Sequence, residues 1–143
     1  TASTLNSLNK WTPPTASMPE AKRDRLWEKL LASVDAAHEA SVPIVLGTDN
    51  GMPFVFPGYS VHEELELLVE AGLTPMEALV SATQRAAEMM GEEDAFGTVE
   101  AGKRADILIL DANPLQDIRN TRTPEVVIKE GKVIDRSSLF NLE

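Results

Sequence analysis

Chemistry in this chain has few places to come from. There is no cysteine, which excludes disulfides, thiol catalysis and cysteine-bound zinc, and imidazole chemistry rests on two histidines, His38 and His62. Carboxylates are plentiful, but Asp49 stands apart. It follows the unbroken apolar run Val42-Pro43-Ile44-Val45-Leu46-Gly47 and opens a segment punctuated by Gly51, Pro53, Pro57 and Gly58. A carboxylate at such a boundary can take a proton from water, return it to a leaving group, or bind a cation. Asp-Asn-Gly is also good turn chemistry, which would make Asp49 a turn or capping residue instead.

The segment after Asp49 holds Phe54, Phe56 and Tyr59, three of the chain's five Phe and Tyr residues. On a loop they could line a substrate pocket, or they could pack down on neighbouring helices. His62 falls in the first turn of the following helix, where a structural and a substrate-shaping role are both open. His38 lies late in the first helix, beside its apolar stripe, and reads as a helix histidine near a favourable C-terminal dipole. Asp106, in the turn Gly102-Lys103-Arg104-Ala105-Asp106, reads as a turn-fixing carboxylate. Trp11 and Trp27 read as packing residues.

The elements that must position these groups are legible in outline. The first fifteen residues, rich in Ser, Thr, Asn and Pro, read as a loop. Ser17 and Glu20 have capping-box spacing, and Leu26, Trp27, Leu30, Leu31, Val34, Ala37 and Ala40 then recur at helical spacing. Residues 44–46 read as a strand buried on both faces, as in a parallel sheet. A second capping box, Ser60 with Glu63, predicts a helix with apolar face Val61, Leu65, Leu68 and Val69, ending at Gly72. Thr74-Pro75-Met76-Glu77 predicts a third helix with stripe Leu79, Val80, Thr83, Ala87 and Met90, ending at Gly91. Beyond Gly97 the period becomes that of strands: Ile107-Leu108-Ile109-Leu110, then Val126-Val127-Ile128-Lys129, turning at Glu130-Gly131 into Lys132-Val133-Ile134. The shift from helical to β character near residues 94–97 marks the expected domain boundary.

At 143 residues, with 43% apolar and 25% charged residues, the chain can bury the core of one ordinary domain. Acidic residues outnumber basic ones by 23 to 13, a formal net charge of −10 that disfavours nucleic acid and anionic membranes as partners. No apolar run approaches the ~18 residues of a membrane span. The chain opens on Thr1 without a charged, apolar leader, so either a leader has been removed or the chain is part of something longer. Localisation is left open, cytoplasmic by default.

Helix, apolar strand ending in Asp, loop and helix is the form of one βα unit of a barrel. At this point the sequence resembles a known family. Ile44-Val45-Leu46-Gly47-Thr48-Asp49 resembles the last barrel strand of the amidohydrolase superfamily, in its imidazolonepropionase-like and prolidase-like branch. The likeness continues through His62-Glu63-Glu64-Leu65, Leu68-Val69-Glu70-Ala71-Gly72-Leu73-Thr74-Pro75-Met76-Glu77-Ala78-Leu79, and Ala82-Thr83 with Ala86-Ala87. It runs on through Gly97-Thr98-Val99-Glu100-Ala101-Gly102-Lys103-Arg104-Ala105-Asp106, then Asn113-Pro114-Leu115 and Gly131-Lys132-Val133. Any one piece is common; all of them in order are specific.

The resemblance implies an α/β protein: the C-terminal part of a (β/α)8 TIM barrel over residues 1–93, with strands of a small β-sandwich and a tail over residues 94–143. It implies a divalent metal, zinc foremost, with Asp49 as metal ligand and proton shuttle. The reaction class it implies is hydrolysis of C–N bonds in non-peptide, cyclic or dipeptide-like amides. Phe54, Phe56, Tyr59 and His62 are the candidate substrate contacts. The family's metals also need a His-x-His pair, a bridging Lys or Glu, and two later histidines, and neither His38 nor His62 matches those motifs. One carboxylate holds a divalent ion weakly, so this chain alone is expected to bind no stoichiometric metal and to be inactive. It is read as part of a longer enzyme; the alternatives are one half of a two-chain enzyme and a binding module without catalysis. Expected partners are a small-molecule substrate and either a second copy or a complementary chain covering the barrel-facing surface.

Overall fold

In the computed structural model of the chain, residues 17–52 and 54–135 are described. The loop expected over the first fifteen residues, and the packing expected of Trp11, lie outside them.

Helix α1 spans Glu20–Glu39. The Ser17–Glu20 capping box does not form: Pro19 is the N-cap, with no side-chain cap bond, and its carbonyl accepts from the Lys22 and Arg23 amides. Ser17 lies upstream of that cap, out of register with the first-turn donors. At the other end Ser41 takes φ 57°, its amide bonding to the His38 carbonyl and that of Val42 to the Ala37 carbonyl. This paired stop, usually served by glycine, turns the chain into the apolar run.

Residues 44–46 do not become a ladder strand. Among the described residues no strand lies beside them to pair with, so their amides turn to helices instead: Leu46 N–H donates to the Ser81 carbonyl at 3.2 Å. Ile44 and Leu46 are half-buried against the core, not covered on both faces.

Helix α2 spans Tyr59–Glu70, with Gly58 as N-cap at φ 79°. Ser60 therefore sits inside the helix rather than at its cap, and the Ser60–Glu63 box gives way to a different bond, in which Ser60 Oγ accepts the Phe56 amide at 3.0 Å. The helix ends at Gly72, where φ is 105° and an added Cβ would lie 2.6 Å from Asp35 Oδ1 of α1. Only glycine fits both the left-handed backbone and that approach.

Helix α3 spans Pro75–Ala82 and starts where the sequence placed it, closed by a capping box: Thr74 Oγ1 accepts the Glu77 amide, and the Glu77 carboxylate accepts the Thr74 amide. The single third helix of the sequence reading is two helices, because Thr83 (φ −126°, ψ −84°) separates α3 from α4, Gln84–Met90. The Thr83 hydroxyl donates to the Leu79 carbonyl at 2.7 Å, taking the acceptor that the next turn would have used. Gly97 packs into the break, its position for a Cβ only 2.7 Å from the Ala87 methyl.

The β region is an antiparallel sheet of order β1-β2-β3, with β1 Ile107–Leu110, β2 Pro124–Lys129 and β3 Lys132–Val133. The Glu130-Gly131 hairpin forms, with Ile128 opposite Val133 and Lys129 opposite Lys132. Both turn residues have positive φ, 51° and 76°, as the tightest hairpin turns require. A 3-10 turn, Ile118–Arg122, precedes β2 and inserts Ile118 into the core beside Leu65, Leu68, Leu73 and Ala78. Helix α1 joins this core only through Val34; Leu26, Trp27 and Leu30, at 40%, 42% and 52% exposure, face water. Among the described residues no helix is long and apolar enough to cross a membrane.

Candidate functional site

Asp49 closes the 44–48 segment with φ 50°, in the left-handed region that Asp and Asn enter more readily than other non-glycine residues. Its carbonyl accepts the Met52 amide at 3.3 Å, so the turn chemistry of Asp-Asn-Gly is realised in the backbone. The side chain is exposed, and its carboxylate makes no hydrogen bond or ion pair with the described residues. The turn is thus made by the main chain, without the side chain.

The segment leading to Asp49 is held by Leu46 N–H on the Ser81 carbonyl and by Gly47 N–H on Glu64 Oε1 of α2, at 3.0 Å. After Asp49 the loop presents Met52, Phe54 and Phe56 to water, each more than half exposed. Phe54 adopts φ 70°, a conformation bulky side chains avoid. Of the four aromatic and imidazole candidates, Phe54 and Phe56 lie on this loop, whereas Tyr59 and His62 turn towards the 3-10 segment.

The Arg122 guanidinium lies over the Tyr59 ring at 4.9 Å and donates to Glu66 Oε1 at 2.6 Å. His62 Nδ1 is 3.0 Å from Thr121 Oγ1, and that hydroxyl donates to the Ile118 carbonyl at 2.8 Å. With the hydroxyl proton so committed, Nδ1 carries the hydrogen and donates. Burial lowers the His62 pKa from 6.5, the nearby Arg122 charge adds to this, and Glu66 partly offsets it. His62 and Tyr59 therefore dock the C-terminal turn onto α2. His38 sits elsewhere, 3.6 Å from Glu77 across the α1–α3 contact.

Asp106 fixes its turn, as its position suggested. It accepts from Lys129 Nζ at 2.7 Å, from the Glu130 amide at 2.8 Å and from Arg104 Nε at 2.8 Å. These donors hold its pKa near 2, the Lys129 bond contributing most. Sequence reasoning missed Glu64, Thr121 and Arg122 as positioning groups. Their contacts, Glu64 to Gly47 and Arg122 to Glu66, span 17 and 56 residues and carry no local signature.

The model of the Amidohydrolase family matches residues 11–134. Ochratoxinase of Aspergillus niger is 36% identical over 121 residues, covering 78% of this chain and 24% of its own. Imidazolonepropionase of Shouchella clausii is 32% identical over 111 residues, with shares of 72% and 24%. The structure of a candidate prolidase from Bifidobacterium longum, 45% identical, superposes with a TM-score of 0.69 over 75% of this chain and 26% of that one. The chain belongs to the amidohydrolase family, in its imidazolonepropionase- and prolidase-like branch. Its architecture is part of an amidohydrolase fold, and it spans about a quarter of the length of the relatives it matches (24%).

Amidohydrolases generally use divalent metals. Among the described residues no group of three or more His, Asp or Glu side chains comes together, and Asp49 offers a single carboxylate. That donor set does not by itself fit a divalent ion, which protein sites hold with three or more ligands.

Proposed function

We propose that this chain is the C-terminal segment of a metal-dependent hydrolase that cleaves C–N bonds in small amides, non-peptide, cyclic or dipeptide-like. The observation that carries the reading is Asp49: an exposed carboxylate, without a partner among the described residues, at the end of a segment held by two helices, beside a loop of exposed apolar side chains. The names of the relatives, ochratoxinase, imidazolonepropionase and prolidase, support hydrolysis as the reaction class.

Asp49 serves as the proton carrier. As a water oxygen bonds to the amide carbon, the carboxylate takes the proton released. As the C–N bond breaks, the same proton passes to the departing nitrogen, leaving an acid and an amine with Asp49 again ionised. Phe54 and Phe56 supply apolar surface for the substrate beside it. A divalent ion, zinc by family resemblance, would need further ligands from a longer chain or a complementary one. The exposed face of Leu26, Trp27 and Leu30 favours such an assembled unit over a stand-alone binding module.

Asp49→Asn in the assembled enzyme tests the reading. Turnover is expected to fall by at least ~10²-fold, the usual scale of general acid–base catalysis. The circular dichroism spectrum should be unchanged, because the side chain faces water. Near-normal turnover with a native spectrum returns Asp49 to the role of a turn residue.

A further inference from the structure

We infer that Glu64 is the positioning residue for Asp49, setting through the Gly47 amide the backbone from which the Asp49 carboxylate is presented. The inference rests on the reading of Asp49 as the proton-transferring group.

Two side chains of α2 hold the two ends of the loop. Glu64 Oε1 accepts the Gly47 amide at 3.0 Å, two residues before Asp49, and Ser60 Oγ accepts the Phe56 amide at 3.0 Å. Ser60 and Glu64 are four residues apart, one turn along the same helix face. That face therefore spans the mouth of the loop, with Asp49, Met52 and Phe54 between the two fixed points. Leu46 N–H, bonded to the Ser81 carbonyl of α3, holds the incoming chain from a second helix.

The other carboxylates of α2 do not share this task. Glu66 is engaged by Arg122, Glu70 accepts from Trp27 Nε1 at 3.4 Å, and Glu63 is exposed. A carboxylate accepting a backbone amide makes a stronger bond than a neutral acceptor. Side-chain length decides the contact as well, because the acceptor must reach across from the helix to the 44–48 segment.

Glu64→Ala, Glu64→Asp and Glu64→Gln in the 143-residue chain separate these requirements. Amide hydrogen exchange is followed at Gly47, with Leu73 and Ala78 as core controls, alongside the amide–Hα coupling of Asp49, which reports its φ. Alanine, and the shortened aspartate, should speed Gly47 exchange roughly tenfold, the scale of one lost hydrogen bond to a charged group. Both should move the Asp49 coupling, while glutamine, with length and acceptor kept but the charge lost, restores the coupling and most of the exchange protection. Leu73 and Ala78 should hold their rates in all three variants. If alanine prevents folding, the aspartate–glutamine pair decides. Unchanged Gly47 exchange, an unmoved Asp49 coupling, or parallel acceleration at Leu73 and Ala78 each overturns the inference. Failure of the Asp49 reading would show elsewhere, in the turnover of Asp49→Asn, and would leave these exchange rates as they are.

Discussion

Replacing Ile118 by alanine asks whether the helical part and the β part of this chain fold as one unit. Ile118 is 6% exposed and packs with Leu65 and Leu68 of α2, although its own backbone belongs to the turn leading into β2. Removing its outer methyl and methylene groups costs the lost transfer energy plus that of the cavity, about 2–5 kcal/mol for Ile→Ala at a closed site. Val61 and Val69 border this core half-buried and can relax inward, which puts the expected loss near the lower half, ~3 kcal/mol. A domain's total stability is only about 5–15 kcal/mol, so this is a large fraction of it. For a domain of this size it corresponds to a drop in Tm of roughly 10 °C. Thermal melts followed by helical ellipticity and by the exchange of Val126 and Ile128 amides in β2 should shift together. Ile118→Val should cost about 1 kcal/mol by the same reasoning. A helical melt unmoved by Ile118→Ala, with only β2 protection lost, would refute the argument and favour two independently folding parts divided near residue 94.

The remaining expectations concern charge and surface. Because the folded-state pKa of His62 lies below 6.5, the folded chain binds fewer protons there than the unfolded one; its contribution to stability is complete above that value and is lost as pH falls through it. His62→Gln should therefore flatten the fall in urea midpoint between about pH 7.5 and 5.5, and an unaltered slope would count against the Thr121 contact. The carboxyl of Asp106, held near 2 against an ordinary 3.8, stabilises above the ordinary value and ceases to do so as pH falls through 2. Asp106→Asn should speed amide exchange at Glu130 and Gly131, and unaltered rates there would mean that the hairpin holds without it. Finally, the apolar side chains of Leu26, Trp27 and Leu30 should make the isolated chain self-associate or require a complementary chain. Light scattering at ~100 µM should show species larger than a monomer, relieved by Leu26→Ser with Leu30→Ser; a compact parent monomer would contradict this.

What was legible in the sequence divides along physical lines. Helix bodies follow from apolar periodicity, and α1, α2 and α3 lie where that period placed them. Of the three helix starts read from the sequence only that of Thr74 carries a capping box, since a cap depends on where the first turn starts to within one residue, and Pro19 and Gly58 moved the other two starts. Thr83 does not announce a break, because threonine is tolerated in helices; the hydroxyl bond to Leu79 and the packing of Gly97 create it. The Glu130-Gly131 hairpin was readable because turn chemistry is local. Residues 44–46 carry the composition of a buried strand, yet a strand is made by its neighbours, and none lies beside them among the described residues. At the candidate site, the turn at Asp49 was legible from Asp-Asn-Gly, whereas the bond of Glu64 to Gly47 was not, being set by how the intervening loop returns.

Four non-glycine residues among those described have positive φ: Ser41, Asp49, Phe54 and Glu130. Ser41 stops α1 and Glu130 makes the hairpin, so two of the four have evident architectural tasks. Asp49 and Phe54 lie within a few residues of each other in one loop and join no helix or ladder strand. Such conformations cost of order 1–3 kcal/mol each and persist only where the surroundings over-determine them. Here the surroundings are the bonds of Glu64 to Gly47, Ser81 to Leu46 and Ser60 to Phe56. Strain of this kind supports a working loop over a passive connection, because a passive one would relax or recruit glycine at position 54. Phe54→Gly should accordingly stabilise the backbone while weakening substrate affinity in the assembled enzyme, read as a higher KM at similar kcat. A variant that gained stability and kept KM would show that the Phe54 ring is not what the strained backbone is there to present.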